Sequence, residues 1–237
     1  GVLSSLYSEL TASDDPLAPY ELLQGFHNKS LETDHAMRTL ANEALKSPRV
    51  AAIISGAKDI SSMVAELRDS VDAAEYLAAI DQFLNSYGFR SSSLDLSIKT
   101  WQEDPSFVFL TIKSMLSSIQ SGNNSDQDLA AKREAAVANL AQVLDTDNSN
   151  YNLFFTVLKI CQEIWPIRED HAFYIEQATG AQMRRIALKC GESMKKHGLI
   201  SDSEDIFYLE LDEIREALKS FDDEKIHENY QADIIDR

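Results

Sequence analysis

Apolar residues recur at intervals of three and four along almost the whole chain. Between Val71 and Gly88 two parallel stripes follow that interval, Leu77, Ile80, Leu84, Tyr87 and Tyr76, Ile80, Phe83, Tyr87, and Gly88 supplies a stop. Asp104 as N-cap and Pro105 in the first turn open the next helix, which Gly122-Asn123-Asn124 closes. A further helix is predicted to open at Ser125 and to run through an Ala-rich stretch. In YNLFFTVLKICQEIW, Leu153, Val157, Cys161 and Ile164 share one side, with Phe154, Leu158 and Trp165 beside them. That helix is apolar around much of its circumference and is predicted to be central. Pro166 then breaks or kinks the chain, and one long helix (about 167–196) follows before the His197-Gly198 stop.

Upstream, SLETDHAMRTLANEAL reads as a helix and PRVAAIIS as a short one starting at Pro48; downstream, Ser201 and Glu204 have capping-box spacing and DEIREALKS is helical. DIFYLEL is the only respectable strand candidate. The fold class predicted is all-α: a single irregular multi-helix domain with long functional loops. It divides into a helical extension over 1–18, the main domain over 19–220 and a peripheral helix over 221–237. Two segments, 87–105 and 24–31, read as loops, and loops of such length inside a helical domain often carry function.

Composition narrows the partners. The 237 residues hold 22 Lys+Arg and 39 Asp+Glu, a net charge of −17. Nucleic acid and anionic membrane surfaces both need a basic footprint, so neither is expected as a partner. No long apolar run and no charged-flank leader occur, and a cytoplasmic protein is expected. Cys161 and Cys190, both on predicted helix core faces, fit reduced, buried thiols, and scattered His gives no zinc pattern and no expected metal. Nucleotide-cradling glycine motifs and the nucleophile elbow are missing, so no cofactor is expected in this chain.

Three constellations remain. On the predicted helix after Pro166, Arg168, Ala172, Ile175, Thr179, Met183, Ile186 and Cys190 fall within roughly 80° of arc, a stripe expected to face the core. A guanidinium there needs a carboxylate from another helix or an anionic ligand. Both options stay open. Arg168, Glu169, Asp170 and His171 would occupy the first turn, whose free N–H groups and dipole suit phosphate. The second constellation is Gly88, Phe89 and Arg90 with Asp95 and Trp101, where Asp95 could hold Arg90 either for a ligand or merely to pin the loop. The third is Asn28, Lys29 and Ser30, which reads first as an N-cap. The basic cluster Arg184, Arg185, Lys189, Lys195 and Lys196 reads as a solvated face.

The pairing of YGFR…D…W-x-E-D-P with P-I-R-E-D-H…R…G-x-x-M-x-x-x-G-L-I-S-D-S-E-D-I-F-Y-L-x-x-D-E-I resembles the central helical region of PEP-utilising phosphotransferases, and QGFHNKS also fits. That group includes phosphoenolpyruvate synthase, rifampin phosphotransferase and phenylphosphate synthase. The resemblance spans roughly Pro19 to Leu218 and is most specific over 198–214. It implies an acceptor-binding domain that works with an ATP-grasp domain and a phosphohistidine domain, in cis or in trans. ATP and Mg would sit on that nucleotide domain. The acceptor would be a small hydroxylated molecule, and the chain by itself would not turn over. Arg168 and Glu169 match the family's R-E. Where rifampin-type enzymes carry a lysine, position 172 is alanine, which makes His171 the candidate base. The implied site is His171 and Arg168 as catalytic residues, with Arg90, Asp95, Glu169 and Asn28 binding substrate. The competing class is a non-catalytic spacer or interaction domain with an acidic docking surface.

Overall fold

The computed structural model describes residues 1–122, 129–220 and 230. The expected helix start at Ser125 and the expected C-terminal helix over 221–237 therefore lie outside the described residues, Tyr230 excepted. The fold is all-α, and no strand occurs among the described residues. The α-helices are α1 (Val2–Thr11), α2 (Lys29–Lys46), α3 (Pro48–Gly56), α4 (Ile60–Asp69), α5 (Ala74–Tyr87), α6 (Ser106–Gln120), α7 (Leu129–Val143), α8 (Tyr151–His171), α9 (Ala178–Lys196) and α10 (Leu211–Ser220). A π segment over Ala172–Gln177 joins α8 to α9, and 3₁₀ turns cover Ala18–Leu23, Val71–Ala73 and Ser203–Tyr208.

The chain divides into two units, Gly1–Phe83 with Ser106–Phe173, and Leu84–Pro105 with Tyr174–Arg237. In the first unit α2 packs on α3 and α6, burying Met37, Leu40, Ala41 and Ala44 against Val50, Ile53 and Ile54 and against Val108, Ile112 and Leu116. Each fully buried Leu, Ile or Met contributes about 1.5–3 kcal/mol. α5 buries Tyr76, Ile80 and Phe83, the second of its two stripes. A further cluster joins Leu3 and Leu6 of α1, Leu22 and Leu23 of the 3₁₀ turn, Leu140 and Leu144, and Phe154 and Leu158 of α8. Here Gly25, at φ 72°, does what no side chain could: a Cβ would meet Ala130 and Leu129 backbone atoms. Arg133 fixes the same turn, donating to the Gln24 carbonyl at 2.8 Å with its guanidinium 3.9 Å from the Phe26 ring.

In the second unit α9 packs against the turn at 203–208 and against α10, around Met194, Leu199, Ile200, Ile206, Ala217 and Tyr230. The strand expected over DIFYLEL is a 3₁₀ turn instead. Its capping box uses Asp202 and Asp205, one residue later than the Ser201 and Glu204 spacing suggests. The Asp205 carboxylate takes the Ser201 and Asp202 N–H groups at 3.1 and 2.8 Å, and these local bonds win over strand propensity.

The long helix also departs from expectation. Pro166 does not start a helix; it lies inside α8, and helical backbone runs from Tyr151 to Lys196. An interior proline costs about 3 kcal/mol. Packing on both sides of it offsets that cost. Phe154 and Leu158 are buried in the first unit's core before it, and after it Glu169 and Asp170 hydrogen-bond to the start of α2. Free Cys161 and Cys190 are both half-buried. Among the described residues, no helix is long and apolar enough to cross a membrane.

Gly191 of α9 faces the Ser203 carbonyl so closely that a Cβ would collide with it, whereas a Cβ on Gly180 would meet nothing within 4 Å. Gly191→Ala is expected to destabilise the chain by about 1–3 kcal/mol through overpacking. Gly180→Ala is expected to stabilise it by up to about 1 kcal/mol through helix propensity. Urea denaturation of the two variants checks both signs.

Candidate functional site

The continuity of α8 relocates the R-E-D-H tetrad. Its residues occupy the last turn of one helix rather than the first turn of another, so the expected helix N-terminus at 166–169, with its free N–H groups, does not exist. The Ala172 N–H is bonded to the Arg168 and Glu169 carbonyls as the backbone widens into the π segment. A π-bulge of this kind is frequent beside functional residues.

Each member of the tetrad meets different surroundings. Asp170 Oδ1 accepts the Lys29 backbone N–H at 2.8 Å, and Glu169 Oε2 accepts the Ser30 hydroxyl at 2.9 Å. These carboxylates complement the N-terminus of α2, whose first-turn N–H groups and dipole favour negative charge. Asn28 caps that same helix: its Oδ1 accepts the Leu31 N–H at 2.9 Å and its Nδ2 donates to the Phe26 carbonyl at 3.0 Å. The N-cap reading of the 28–30 segment is thus what the structure shows, a cap of about 1 kcal/mol. Lys29 lies 5.8 Å from the Phe173 ring and pairs with Glu32 at 2.7 Å.

Arg168 is exposed, against the expectation of a core position. No carboxylate pairs with it among the described residues; its guanidinium lies 5.2 Å from the Trp165 ring centroid. Trp165 in turn meets Tyr20 edge-on at 5.7 Å. These three side chains border a cleft of about 300 Å³, whose other walls include Leu3, Leu23, Val157, Cys161 and Ile164. It is an apolar cleft with a cation at its rim. His171 is exposed and lies outside the cleft lining. The stripe expected to face the core faces outward: Ile175, Met183 and Ile186 are 54%, 52% and 63% exposed.

The buried arginine is Arg184, at 2% exposure. Its Nε bonds both oxygens of Glu103 at 2.9 Å, Nη2 bonds Glu204 at 2.8 Å, and Nη1 donates to the Leu96 and Ser97 carbonyls at 2.8 and 3.2 Å. Phe207 lies 5.0 Å from the guanidinium. Arg184 therefore leaves the solvated face assigned to the basic cluster, because two carboxylates and two carbonyls replace its water. One fork holds three segments of the second unit: α9, the 94–103 loop and the 203–208 turn. The signal in the sequence was its register with Gly191 and Met194 together with the acids of W-x-E-D-P and D-S-E-D, but a charge at that register reads as surface.

In the same unit Arg90 donates from Nε to Gln177 Oε1 at 2.9 Å and lies 5.1 Å from the Trp101 ring. Asp95 does not hold it. The Asp95 carboxylate instead caps its own loop, taking the Ser97 N–H and hydroxyl at 2.9 Å, and these bonds hold its pKa below the usual value. The turn is tight at Gly88, where a Cβ would collide with the Leu84 carbonyl. Among the described residues no three His, Cys, Asp or Glu side chains converge as a metal site would need.

Residues 2–169 match the model of the rifampicin phosphotransferase fourth domain. The chain belongs to that family. The match reaches the R-E pair of α8 and ends before Asp170 and His171. Among its relatives, chondramide synthase cmdD of Chondromyces crocatus is 31% identical over 90% of this chain and 5% of its own length. The phosphotransferase YvkC of Bacillus subtilis (strain 168) is 29% identical over 91% of the chain and 26% of its own length. The rifampicin phosphotransferase of Bacillus cereus is 24% identical over 82% of the chain and 23% of its own length. This fourth-domain chain thus spans about a quarter or less of the relatives it matches.

Burial alone pushes the Glu103 carboxyl up, but its bonds to Arg184 and Thr100 outweigh that and hold its pKa below 4.5. A depressed carboxylate pKa stabilises the fold above its ordinary value, and this contribution is lost as pH falls through the folded pKa. The melting temperature is expected to fall below pH 4.5, and less steeply in Glu103→Gln. Arg184→Met is expected to lose about 3 kcal/mol at neutral pH, with little rescue by Arg184→Lys because an ammonium cannot reproduce the fork. Denaturation at pH 7 and pH 4 checks both.

Proposed function

We propose that the chain is the acceptor-binding domain of an ATP-dependent phosphotransferase that works through a phosphohistidine relay. The ATP-grasp and phosphohistidine domains lie outside this chain, and ATP with Mg binds there. The acceptor is a small molecule with a hydroxyl group. The observation that carries this reading is the state of Arg168. It is an exposed cation that no carboxylate neutralises among the described residues, at the rim of an apolar cleft of ligand size, in a chain of the rifampicin phosphotransferase fourth-domain family. The contrast is with Arg184, which is buried and paired within the fold.

In the proposed mechanism the cleft binds the apolar body of the acceptor and Arg168 neutralises charge on the transferring phosphoryl group. His171, three residues on, removes the hydroxyl proton. Without a helix N-terminus at 166–169, Arg168 supplies that field by its own charge. Glu169 and Asn28 act by fixing the start of α2. Arg90, with Asp95 shaping its loop, is a substrate-binding candidate within the second unit.

The test joins this chain to ATP-grasp and phosphohistidine domains, or supplies them in trans, with ATP labelled at its β-phosphate and a panel of phenols, alcohols and macrolides. Label is expected to reach the histidine and then one acceptor. His171→Ala is expected to slow transfer to the acceptor about 10²–10⁴-fold, the usual range for a lost general base. Histidine phosphorylation should be spared. Undiminished acceptor turnover in that variant removes the role of His171. An unlabelled histidine removes the relay and favours the interaction-domain alternative.

A further inference from the structure

Resting on the acceptor reading, we propose that the cleft beside Arg168 is built for an amphiphilic anion. It therefore holds the phosphorylated product more tightly than the hydroxyl acceptor. Its walls are Leu3, Tyr20, Leu23, Val157, Ile164 and Trp165, and the charged side chain on its lining is Arg168. An apolar wall selects an apolar body. A cation that no carboxylate among the described residues neutralises favours an anionic head, because the ligand can then supply the compensating charge.

The acceptor satisfies half of that pattern and the product all of it. Transfer forms an O–P bond, breaks the N–P bond with the pair returning to the histidine nitrogen, and sends the hydroxyl proton to the base. What remains in the cleft is the same apolar body carrying a phosphate of charge about −1.5 to −2 at pH 7. The Arg168 guanidinium offers several donors in a planar fork, which matches phosphate oxygens. It lies over the Trp165 ring, 5.2 Å from the centroid, so the same ring that walls the cleft also positions the cation. Product retention then follows from geometry, and the enzyme would be inhibited by what it makes.

Cys161 gives a reporter, since it lines the cleft, while Cys190 packs elsewhere on α9 as an internal control. The probes are 1-naphthol and 1-naphthyl phosphate, binding to the 237-residue chain by calorimetry, with iodoacetamide labelling of each cysteine read by mass spectrometry. The phosphate is expected to bind about tenfold or more tighter than the naphthol, the scale of a charge-assisted hydrogen bond. It should protect Cys161 and not Cys190, and its advantage should disappear in Arg168→Gln, an exposed position where folding is not at stake. Equal affinity of the two probes overturns the inference while leaving the cleft as acceptor site. A phosphate preference that survives Arg168→Gln also overturns it. Binding of neither probe removes both the inference and the cleft's role in the acceptor reading.

Discussion

A proline inside a helix removes one backbone hydrogen bond and crowds the preceding turn. The path from Tyr151 to His171 nevertheless passes Pro166 without a break. What the residues around the candidate site do depends on that continuity. Had the helix started at Pro166, Arg168 would have sat among free N–H groups in the first turn, and its phosphate affinity would have been shared with the backbone. With the helix continuous, those N–H groups are bonded, and the positive charge at the cleft rests on one side chain. The same continuity carries Glu169 and Asp170 to the start of α2, where they meet the dipole of a different helix.

Arg168 and Arg184 show how differently two arginines of neighbouring helices can be used. Arg184 has exchanged its water for two carboxylates and two carbonyls, so its charge is consumed within the fold. Such a site is specific but weakly stabilising in net terms, because desolvation cancels much of the attraction. Arg168 is exposed, and its contact among the described residues is a cation–π one, worth about 0.5–1 kcal/mol at an exposed position. Its electrostatic capacity is therefore available to a ligand. The fully paired arginine shapes the second unit, and the unpaired one makes the first unit chemically interesting.

The all-α class and most helix limits were legible in the spacing of apolar residues and in end signals such as Pro48 with Ser47 and the His197-Gly198 stop. The buried face of α9 was not legible. A stripe of apolar residues was expected to choose the buried face of α9, but Gly191, which lets a carbonyl approach, and Arg184, which finds four acceptors, choose it instead. Both determinants are tertiary: Arg184 depends on residues 81 and 20 positions away in sequence, and Gly191 on the Ser203 carbonyl across the helix end. Asn28 as a cap was legible because its partner lies three residues on. The cleft was not, since it is assembled from α1, the 18–23 turn and α8, which only the fold brings together.

The net charge of −17 imposes a condition on any anionic ligand of this chain. Long-range repulsion from that surface lowers the rate at which a phosphate or carboxylate arrives. At physiological ionic strength, however, it is screened beyond about 8 Å. Inside that distance the local arrangement decides, and an acidic chain retains an anion only where a cation is left unneutralised. Several basic residues do not meet that condition: Lys29, Lys46, Lys195 and Arg215 have carboxylate partners, as does Arg184. Arg168 meets it, and it does so at the mouth of an apolar cleft of about 300 Å³. On the proposed reading the acidic surface would work as a filter, repelling anions in general and retaining one whose apolar body adds its own affinity. Raising the salt concentration should then weaken the bond at Arg168 and the repulsion around it together, so affinity for an amphiphilic anion would depend on salt less steeply than the charge of its head alone implies.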